Sequence, residues 1–290
     1  MKRIPDSELI INPNGNVFHL DLKSGDIATT IIMVGDQDRV EEVTKHFDEI
    51  EVAIRNREFH TTTGTYNGMR LTVTSTGIGA DNIDIVFNEM DALVNIDLET
   101  RTLKKEHQQL TFVRIGTSGT IQHDIPLDSF IVSEKAMGFD NLLHYYGNTG
   151  FLDVAFSEAF MKHTHWNSKK GMPYVVSADE DVLELFNSPV FIKGITVTSI
   201  GFYGPQGRKL RLSLEDDQLN DKMKSFRYNN DRITNLEMET SAIYGMSKLL
   251  GHRAVSLNAI IANRATGTFS ANPKETVNRL IIKTLDLLTQ

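Results

Sequence analysis

The sequence of 290 residues predicts an α/β fold in which helices pack around a largely buried sheet. Short apolar segments alternate along the chain with segments whose apolar residues recur every three or four positions. Residues 254–262 are apolar almost throughout, which is typical of a strand buried on both faces. No linker, repeat or low-complexity tract interrupts this alternation, so we predict a single domain over residues 1–290.

The first half of the chain predicts strands that end in turns or glycine loops. Strands are expected at residues 27–34, 51–65, 70–75 and 112–115, and helices near 40–47 and after the TGIG loop at 76–79. The dipeptide Asn67-Gly68 is a strong hairpin signal. The polar residues 95–107 are expected on the surface. Residues 116–119 are expected to form a Gly, Ser and Thr loop after the strand at 112–115.

The second half of the chain predicts further alternation. Strands are expected at residues 129–134, 192–200, 234–238 and 254–262, and helices within 152–163 and at 240–250. Gly251 is placed to end the second of these helices. Asn272 and Pro273 are typical of a helix start, with Asn as the N-cap and Pro in the first position.

Arg114 is the most informative single residue, because it interrupts the apolar segment Phe112, Val113 and Ile115. A buried guanidinium without an anionic partner is very costly. Two partners are consistent with the sequence: a bound anion, which the backbone N–H groups of a following glycine loop would also hold, and a buried carboxylate. We favour the anion. Arg39 and Arg57 also lie at strand ends or turns and are further candidates for it.

Two other segments carry polar groups suited to a small ligand. Glu237 and Glu239 flank a strand-to-helix junction, where two carboxylates on one side could accept the vicinal hydroxyls of a ribose. The alternative is that Glu239 only interacts with the dipole of the following helix. In the segment 202–208, Gln206 and Arg208 can donate to carbonyl oxygens while Phe202 offers a flat face for stacking.

Composition excludes several classes of function. The formal net charge is −8 and no Lys/Arg-rich face emerges, which argues against a nucleic-acid partner. The chain has no cysteine, so disulfides and thiolate chemistry are excluded. No apolar segment has the length of a membrane span and the first residues lack the apolar centre of a signal peptide, so we expect a cytoplasmic location without membrane contact. GxSxG, HExxH, Walker and Rossmann motifs are absent.

Eight short motifs, in order, resemble nucleoside phosphorylases of the uridine phosphorylase branch. They are VFHL (17–20), GDQDR (35–39), NREF (56–59), STGIG (75–79), RIGTSG (114–119), FYGPQGR (202–208), NLEMET (235–240) and ANR (262–264). Each motif is modest alone, but together they span residues 17–264 in the family's order. The resemblance implies a three-layer α/β/α fold with a central mixed, partly barrel-like sheet.

The resemblance also implies roles for individual residues. Phosphate would be held by Gly35, Arg39, Arg114, Thr117 and, from a neighbouring subunit, Arg57. Ribose would be held by Met238 and Glu239, with His19 of a neighbouring subunit on its 5′-hydroxyl. The base would be read by a third set of residues, which comprises Phe202, Gln206, Arg208, Glu237 and Ile261.

The resemblance also implies expectations about metal binding, cofactors and oligomeric state. Some relatives hold a monovalent cation through a Glu, an Ile carbonyl and a Ser; Glu58 and Ile78 match, but Asn82 replaces the Ser, so we predict no metal. No cofactor is expected, because inorganic phosphate is a co-substrate. Shared sites imply a homo-oligomer, with a dimer as the active unit and a hexamer as a larger form that relatives adopt.

The implied reaction is reversible phosphorolysis of uridine to uracil and α-ribose 1-phosphate. Whether deoxyuridine or thymidine is also accepted depends on how Phe202 and Ile261 pack around the base and sugar. Three alternatives stay open: a purine nucleoside phosphorylase, a nucleosidase that uses water, and a nucleoside- or phosphate-binding protein without turnover. Asn263 and Arg264 stand where a purine enzyme would carry an acidic residue, which disfavours the first alternative.

Overall fold

The computed structural model describes residues 2–290. Across these residues the strands are β1 (Thr30–Val34), β2 (Glu49–Asn56), β3 (Phe59–Tyr66), β4 (Met69–Ser75), β5 (Ile96–Asp97), β6 (Thr102–Leu103), β7 (Thr111–Thr120), β8 (Phe130–Gly138), β9 (Tyr174–Ser177), β10 (Phe191–Thr198), β11 (Ile233–Glu237), β12 (Arg253–Asn263) and β13 (Thr268–Phe269). The helices are α1 (Gln37–Thr44), α2 (Ala80–Asn95), α3 (Val154–Thr164), α4 (Glu180–Leu185), α5 (Leu219–Ser225), α6 (Thr240–Leu250) and α7 (Pro273–Leu288).

One mixed sheet contains every strand except the short ribbon β5–β6. Part of this sheet closes on itself, because β12 pairs with both β7 and β8, and β8 connects through β10 and β11 back to β7. From β7 the sheet continues as an open part through β1, β4, β3 and β2. The predicted α/β class and the partly barrel-like sheet are therefore confirmed.

Two apolar layers cover the two faces of the open part of the sheet. In β1, Ile31 and Met33 pack with the buried faces of α2 and α6. The alternating residues Ile32 and Val34 pack with α1 and α7 on the other side. A strand buried on both faces lacks polar alternation, which is why these strands are recognisable in the sequence.

The predicted loop at residues 116–119 is wrong, because β7 continues as a strand to Thr120. Both of its neighbours in the closed part of the sheet supply partners here: Ala259 of β12 lies opposite Thr117, and Leu236 of β11 lies opposite Gly119. Gly116 has a second role, since a Cβ at this position would lie 1.7 Å from Nη1 of Arg114. The glycine thus makes room for the guanidinium.

The remaining elements largely follow the predictions. The Asn67-Gly68 hairpin joins β3 and β4 with both residues at positive φ, and α6 spans residues 240–250 as expected. The segment 51–65 contains a turn at Arg57, and the short elements β9, α4 and α5 were not anticipated. Asn272 precedes α7 as its N-cap residue, but its side chain accepts no hydrogen bond from a backbone N–H of the first turn. Among residues 2–290, we find no helix with the length and apolarity needed to traverse a bilayer.

Candidate active site

A cavity of about 700 Å³ opens at the carboxyl ends of β1, β4, β7 and β12, which run parallel to their neighbours in this group. Such strand ends are where α/β proteins bind ligands. All the predicted site residues except His19 and Arg57 line this one cavity: Gly35, Arg39, Arg114, Thr117, Phe202, Gln206, Arg208, Glu237, Met238, Glu239 and Ile261.

Gly35 and Arg39 lie at the junction of β1 and α1. Asp36 caps α1 by accepting a hydrogen bond of 3.1 Å from the N–H of Asp38, and Arg39 follows in the first turn. The Arg39 Nε is buried and has no hydrogen-bond partner among the described residues. Burial and the neighbouring Arg114 lower the pKa of Arg39. Two cations near a helix N-terminus, one of them incompletely satisfied, favour an anion at this end of the cavity.

Arg114 of β7 is buried and paired with carboxylates of its own chain. Its Nη2 lies 2.5 Å from an oxygen of Glu239 and 3.4 Å from Glu237, and its Nη1 donates to Asn258 at 3.1 Å. Burial opposes the charge of Arg114, but Glu237 and Glu239 together raise its pKa. The buried-carboxylate alternative is therefore realised in the structure, while Arg114 also faces the cavity.

Glu239 links three parts of the site. Besides Arg114, its carboxylate accepts a hydrogen bond of 2.9 Å from the N–H of Gly79, in the loop after β4. Burial raises the pKa of Glu239, Arg114 opposes this shift and Glu237 adds to it. The carboxylate thus lies between the arginine and the start of α2, and Glu239 lines the cavity.

Glu237, rather than Glu239, caps α6. One of its oxygens accepts from the N–H groups of Glu239 and Thr240, each at 2.9 Å, and the other accepts from the Thr198 hydroxyl at 2.6 Å. The backbone carbonyl of Glu237 accepts from Gln206 at 3.3 Å. The interaction with the N-terminus of α6, which the sequence suggested as an alternative role for Glu239, is therefore made by Glu237.

Phe202, Gln206 and Arg208 form another part of the cavity wall, in the loop after β10. The Arg208 guanidinium lies 3.7 Å from the centre of the Phe202 ring and donates to the Phe202 carbonyl at 2.6 Å and to the Gln206 side-chain oxygen. Burial and the nearby Arg264 lower the pKa of Arg208 to about 10, so it stays cationic at neutral pH. Both partners of this guanidinium are neutral oxygens.

Arg264 was not assigned a role from the sequence. It follows β12, and its guanidinium donates to the carbonyls of Gln206 at 2.6 Å and Gly207 at 3.1 Å. Its backbone N–H donates to Thr120 of β7 at 2.8 Å. Arg264 thereby connects the loop after β10 to the closed part of the sheet. Its place directly after the last core strand is the signal that could have identified it.

His19 and Arg57 lie together in a different place. The rings of His19 and Phe18 are 4.9 Å apart, and the Arg57 guanidinium lies 5.2 Å from the Phe18 ring. Asn56, next to Arg57, donates to the carbonyl of His19 at 2.8 Å. Neither predicted residue lines the cavity of its own chain. Their contribution to a neighbouring subunit's cavity stays a prediction.

Two places bear on metal binding. Glu58 and Ile78 line the cavity, and a Cβ built on Gly77 would meet the side chains of Asn82 and Glu58. Elsewhere among residues 2–290, Asp91, His107 and His252 bring ligand atoms within 4.8 Å of one another. The Leu110 N–H donates to Nδ1 of His252, which leaves the proton of a neutral imidazole on Nε2, the atom that faces Asp91 at 3.2 Å. A protonated nitrogen is no metal ligand, so this cluster suits an ion poorly.

Residues 29–290 match the sequence profile of the Phosphorylase superfamily. The chain belongs to this superfamily. Its relatives include a uridine phosphorylase of Thermococcus kodakarensis, 29% identical over 90% of this chain and 83% of the relative. A uridine phosphorylase of Haemophilus influenzae is 30% identical, with 86% of each chain covered.

A solved relative supports the same placement within the superfamily. The crystal structure of a Trypanosoma brucei nucleoside phosphorylase, described as showing uridine phosphorylase activity, superposes with a TM-score of 0.86 at 27% identity. The match covers 96% of this chain and 98% of that one. The resemblance to nucleoside phosphorylases of the uridine phosphorylase branch is thereby confirmed.

Proposed function

We propose that this phosphorylase acts on uridine, converting uridine and inorganic phosphate reversibly to uracil and α-ribose 1-phosphate. One observation carries the proposal. A single cavity has the incompletely satisfied Arg39 beside Arg114 at one end and the paired Gln206 and Arg208 side chains at the other. The first pair suits phosphate, and the second suits a base that presents carbonyl oxygens.

Phosphate would occupy the end of the cavity formed by Gly35, Arg39, Arg114 and Thr117. A guanidinium carries five donors, so the contacts of Arg114 with Glu239 and Asn258 leave others for an oxyanion. No side-chain nucleophile is required, because phosphate itself is the nucleophile. The residues at this end place it and hold its charge.

Ribose would lie between the two ends, against Met238 and Glu239. A phosphate oxygen forms a bond to C1′ while the bond from C1′ to N1 of uracil breaks, and its electron pair passes to the base. Positive charge that develops on the sugar lies near the phosphate and the Glu239 carboxylate, which stabilise it. The departing uracil anion takes a proton from solvent.

The base would stack on Phe202 and pack against Ile261, with its carbonyl oxygens toward Gln206 and Arg208. Negative charge grows on these oxygens as the bond to C1′ breaks. Arg208 has only neutral oxygens as partners, so its positive charge is available to the leaving base.

The purine alternative meets a specific obstacle at Asn263, where a purine phosphorylase would carry an acid. The Asn263 amide nitrogen donates to the carbonyls of Gln122 and Ile125, and its oxygen accepts from the N–H groups of Ala265 and Thr266. These contacts fully occupy the amide in holding the loop, and an amide supplies no proton to a purine N7.

The proposed assembly is a homo-oligomer whose smallest active unit is a dimer. It rests on His19 and Arg57, which lie together outside the cavity of their own chain. In a dimer they would complete the ribose and phosphate ends of the neighbour's cavity.

The test is release of the free base from uridine and from inosine, each with and without phosphate, followed by chromatography. We expect uracil from uridine only when phosphate is present, with α-ribose 1-phosphate as the second product. Equal rates without phosphate would indicate a nucleosidase, and faster release from inosine would indicate a purine enzyme. If no free base is released from either nucleoside, the protein binds nucleoside or phosphate without turnover.

A further inference from the structure

Glu89, on α2, binds the segment that carries His19 through three donors. Its carboxylate accepts from the N–H of His19 at 2.9 Å, from the N–H of Leu20 at 2.8 Å and from Nδ1 of the His19 imidazole at 2.6 Å. The Glu89 side chain is 12% exposed, while that of His19 is 29% exposed. A mostly buried carboxylate thus holds a histidine whose ring reaches the surface.

These contacts determine which nitrogen of His19 is available to a ligand. An ionised carboxylate only accepts hydrogen bonds, so the Nδ1 atom must carry the proton that it shares with Glu89. In the neutral imidazole, Nε2 then has a free lone pair. Nε2 has no partner among the hydrogen bonds of the described residues, whereas Nδ1 is fully engaged. In its neutral form, His19 therefore presents Nε2 as an acceptor for a hydroxyl.

Helix α2 connects this arrangement to the cavity. Its N-terminal residue Ala80 follows Gly79, whose N–H binds Glu239, and Glu89 lies ten residues after Gly79 in the same helix. At 1.5 Å per residue this separation is about 15 Å. One continuous helix therefore supports the ribose carboxylate of its own cavity near one end and orients His19 farther along.

We propose that Glu89 is a positioning residue that presents Nε2 of His19 to the 5′-hydroxyl of the ribose in a neighbouring subunit's cavity. The inference rests on the proposed function, because the hydroxyl belongs to the nucleoside bound in the neighbouring subunit. Glu89 touches no substrate. It acts by fixing the tautomer and the direction of the imidazole.

The kinetic test compares uridine with 5′-deoxyuridine in the wild type, Glu89→Gln, His19→Ala and the double variant. We expect the wild type to prefer uridine in kcat/KM by about tenfold, the effect of one hydrogen bond. Glu89→Gln should lose most of this preference, because an amide places N–H donors against the donors of His19 and Leu20. In the His19→Ala background, Glu89→Gln should change the preference no further.

Glu158→Gln is the matched control, since Glu158 is an exposed glutamate on α3 without a hydrogen-bond or ion-pair partner among the described residues. It should keep the wild-type preference. A wild-type preference retained in Glu89→Gln would overturn the proposal. So would an equal loss with both substrates, which would indicate a purely structural role, or a wild type that phosphorolyses both nucleosides equally well.

A second measurement is independent of activity. In protein labelled with ¹⁵N-histidine, the imidazole signal absent from His19→Ala reports the tautomer of His19. In the wild type we expect His19 to be protonated at Nδ1. In Glu89→Gln this form should be lost. A proton on Nε2 alone in the wild type would contradict the proposal. If uridine proves not to be a substrate, this spectrum still decides whether Glu89 orients His19, so the two failures are distinguishable.

Discussion

Arg114 and Arg208 are two cations that line one cavity, and the protein holds them in different ways. Arg114 lies on a central strand, is 6% exposed and is paired with two carboxylates of its own chain. Arg208 lies in a loop and stacks on Phe202, which is 49% exposed, and among the described residues it donates hydrogen bonds to neutral oxygens alone. The charge of Arg114 is therefore balanced within the fold, whereas no carboxylate among the described residues pairs with Arg208.

This difference separates stability from recognition. Removing Arg114 would leave Glu237 and Glu239 buried without their ion-pair partner, so the stability of the fold depends on this residue. Removing Arg208 would leave a partly exposed loop with no buried charge to satisfy. The part of the cavity around Arg114 is thus part of the core, and the loop that carries Arg208 is held by Arg264, which donates to the carbonyls of Gln206 and Gly207.

Replacing Arg114 should have the largest effect. We expect Arg114→Met to lower the free energy of unfolding by about 3–5 kcal/mol, because a buried ion pair loses one partner. Phosphorolysis should fall by at least about a hundredfold, as for loss of a group that stabilises transition-state charge. Urea unfolding at fixed protein concentration and steady-state assays would measure the two effects.

The double variant Arg114→Met with Glu239→Gln is the control for this prediction. Removing the partner charge should recover part of the lost stability while activity stays low. If the single variant unfolds at the same urea concentration as the wild type, the carboxylates do not depend on Arg114 and the comparison fails.

Replacing Arg208 should affect activity but not stability. We expect Arg208→Ala to lower kcat/KM for uridine by about a hundredfold, roughly 3 kcal/mol of transition-state stabilisation. Its free energy of unfolding should stay within about 1 kcal/mol of the wild type, because no buried charge is orphaned. Lys209→Ala, an exposed cation next in the same loop, is the matched control. Equal activities in the two variants would refute the assignment of Arg208.

Much of the fold was predictable because its strongest patterns are local. The apolar strands β1 and β12 and the helices α2 and α6 have clear periodicity, and the structure confirms them. The error at residues 116–119 arose because glycines in a strand resemble a loop when only local preference is considered. Pairing with β11 and β12, more than a hundred residues away, determines the conformation there.

The candidate site, too, was predictable where local motifs determine it and not where long-range contacts do. Most of the motifs identified residues that the structure brings to one cavity, whereas His19 of VFHL and Arg57 of NREF lie outside it. The pairing of Arg114 with Glu239 and the contact of Arg264 with Gln206 join residues 125 and 58 positions apart. The sequence suggested a carboxylate for Arg114 but not which one. Such long-range contacts require the register of the sheet, which no local pattern contains.

The smallest expected effect is a pH dependence of the free energy of unfolding. It again distinguishes the buried group around Arg114 and Glu239 from Arg208. Burial raises the pKa of Glu239 above its ordinary value of 4.5, so the folded protein binds this proton more tightly than the unfolded chain does. The contribution of this group to stability is therefore greatest at low pH and declines as the pH rises from about 4.5 through the raised pKa.

Glu239→Gln removes the titrating group and should remove this dependence. The stability of the wild type relative to Glu239→Gln should fall as the pH rises across that window, when urea unfolding is measured at several pH values. Arg208→Ala should follow the wild-type profile, because Arg208 stays protonated throughout this range. If the relative stability instead rises with pH, the attraction of Arg114 outweighs the effect of burial on the pKa of Glu239. The fold would then favour the ionised carboxylate, as an ion pair with the arginine that it faces.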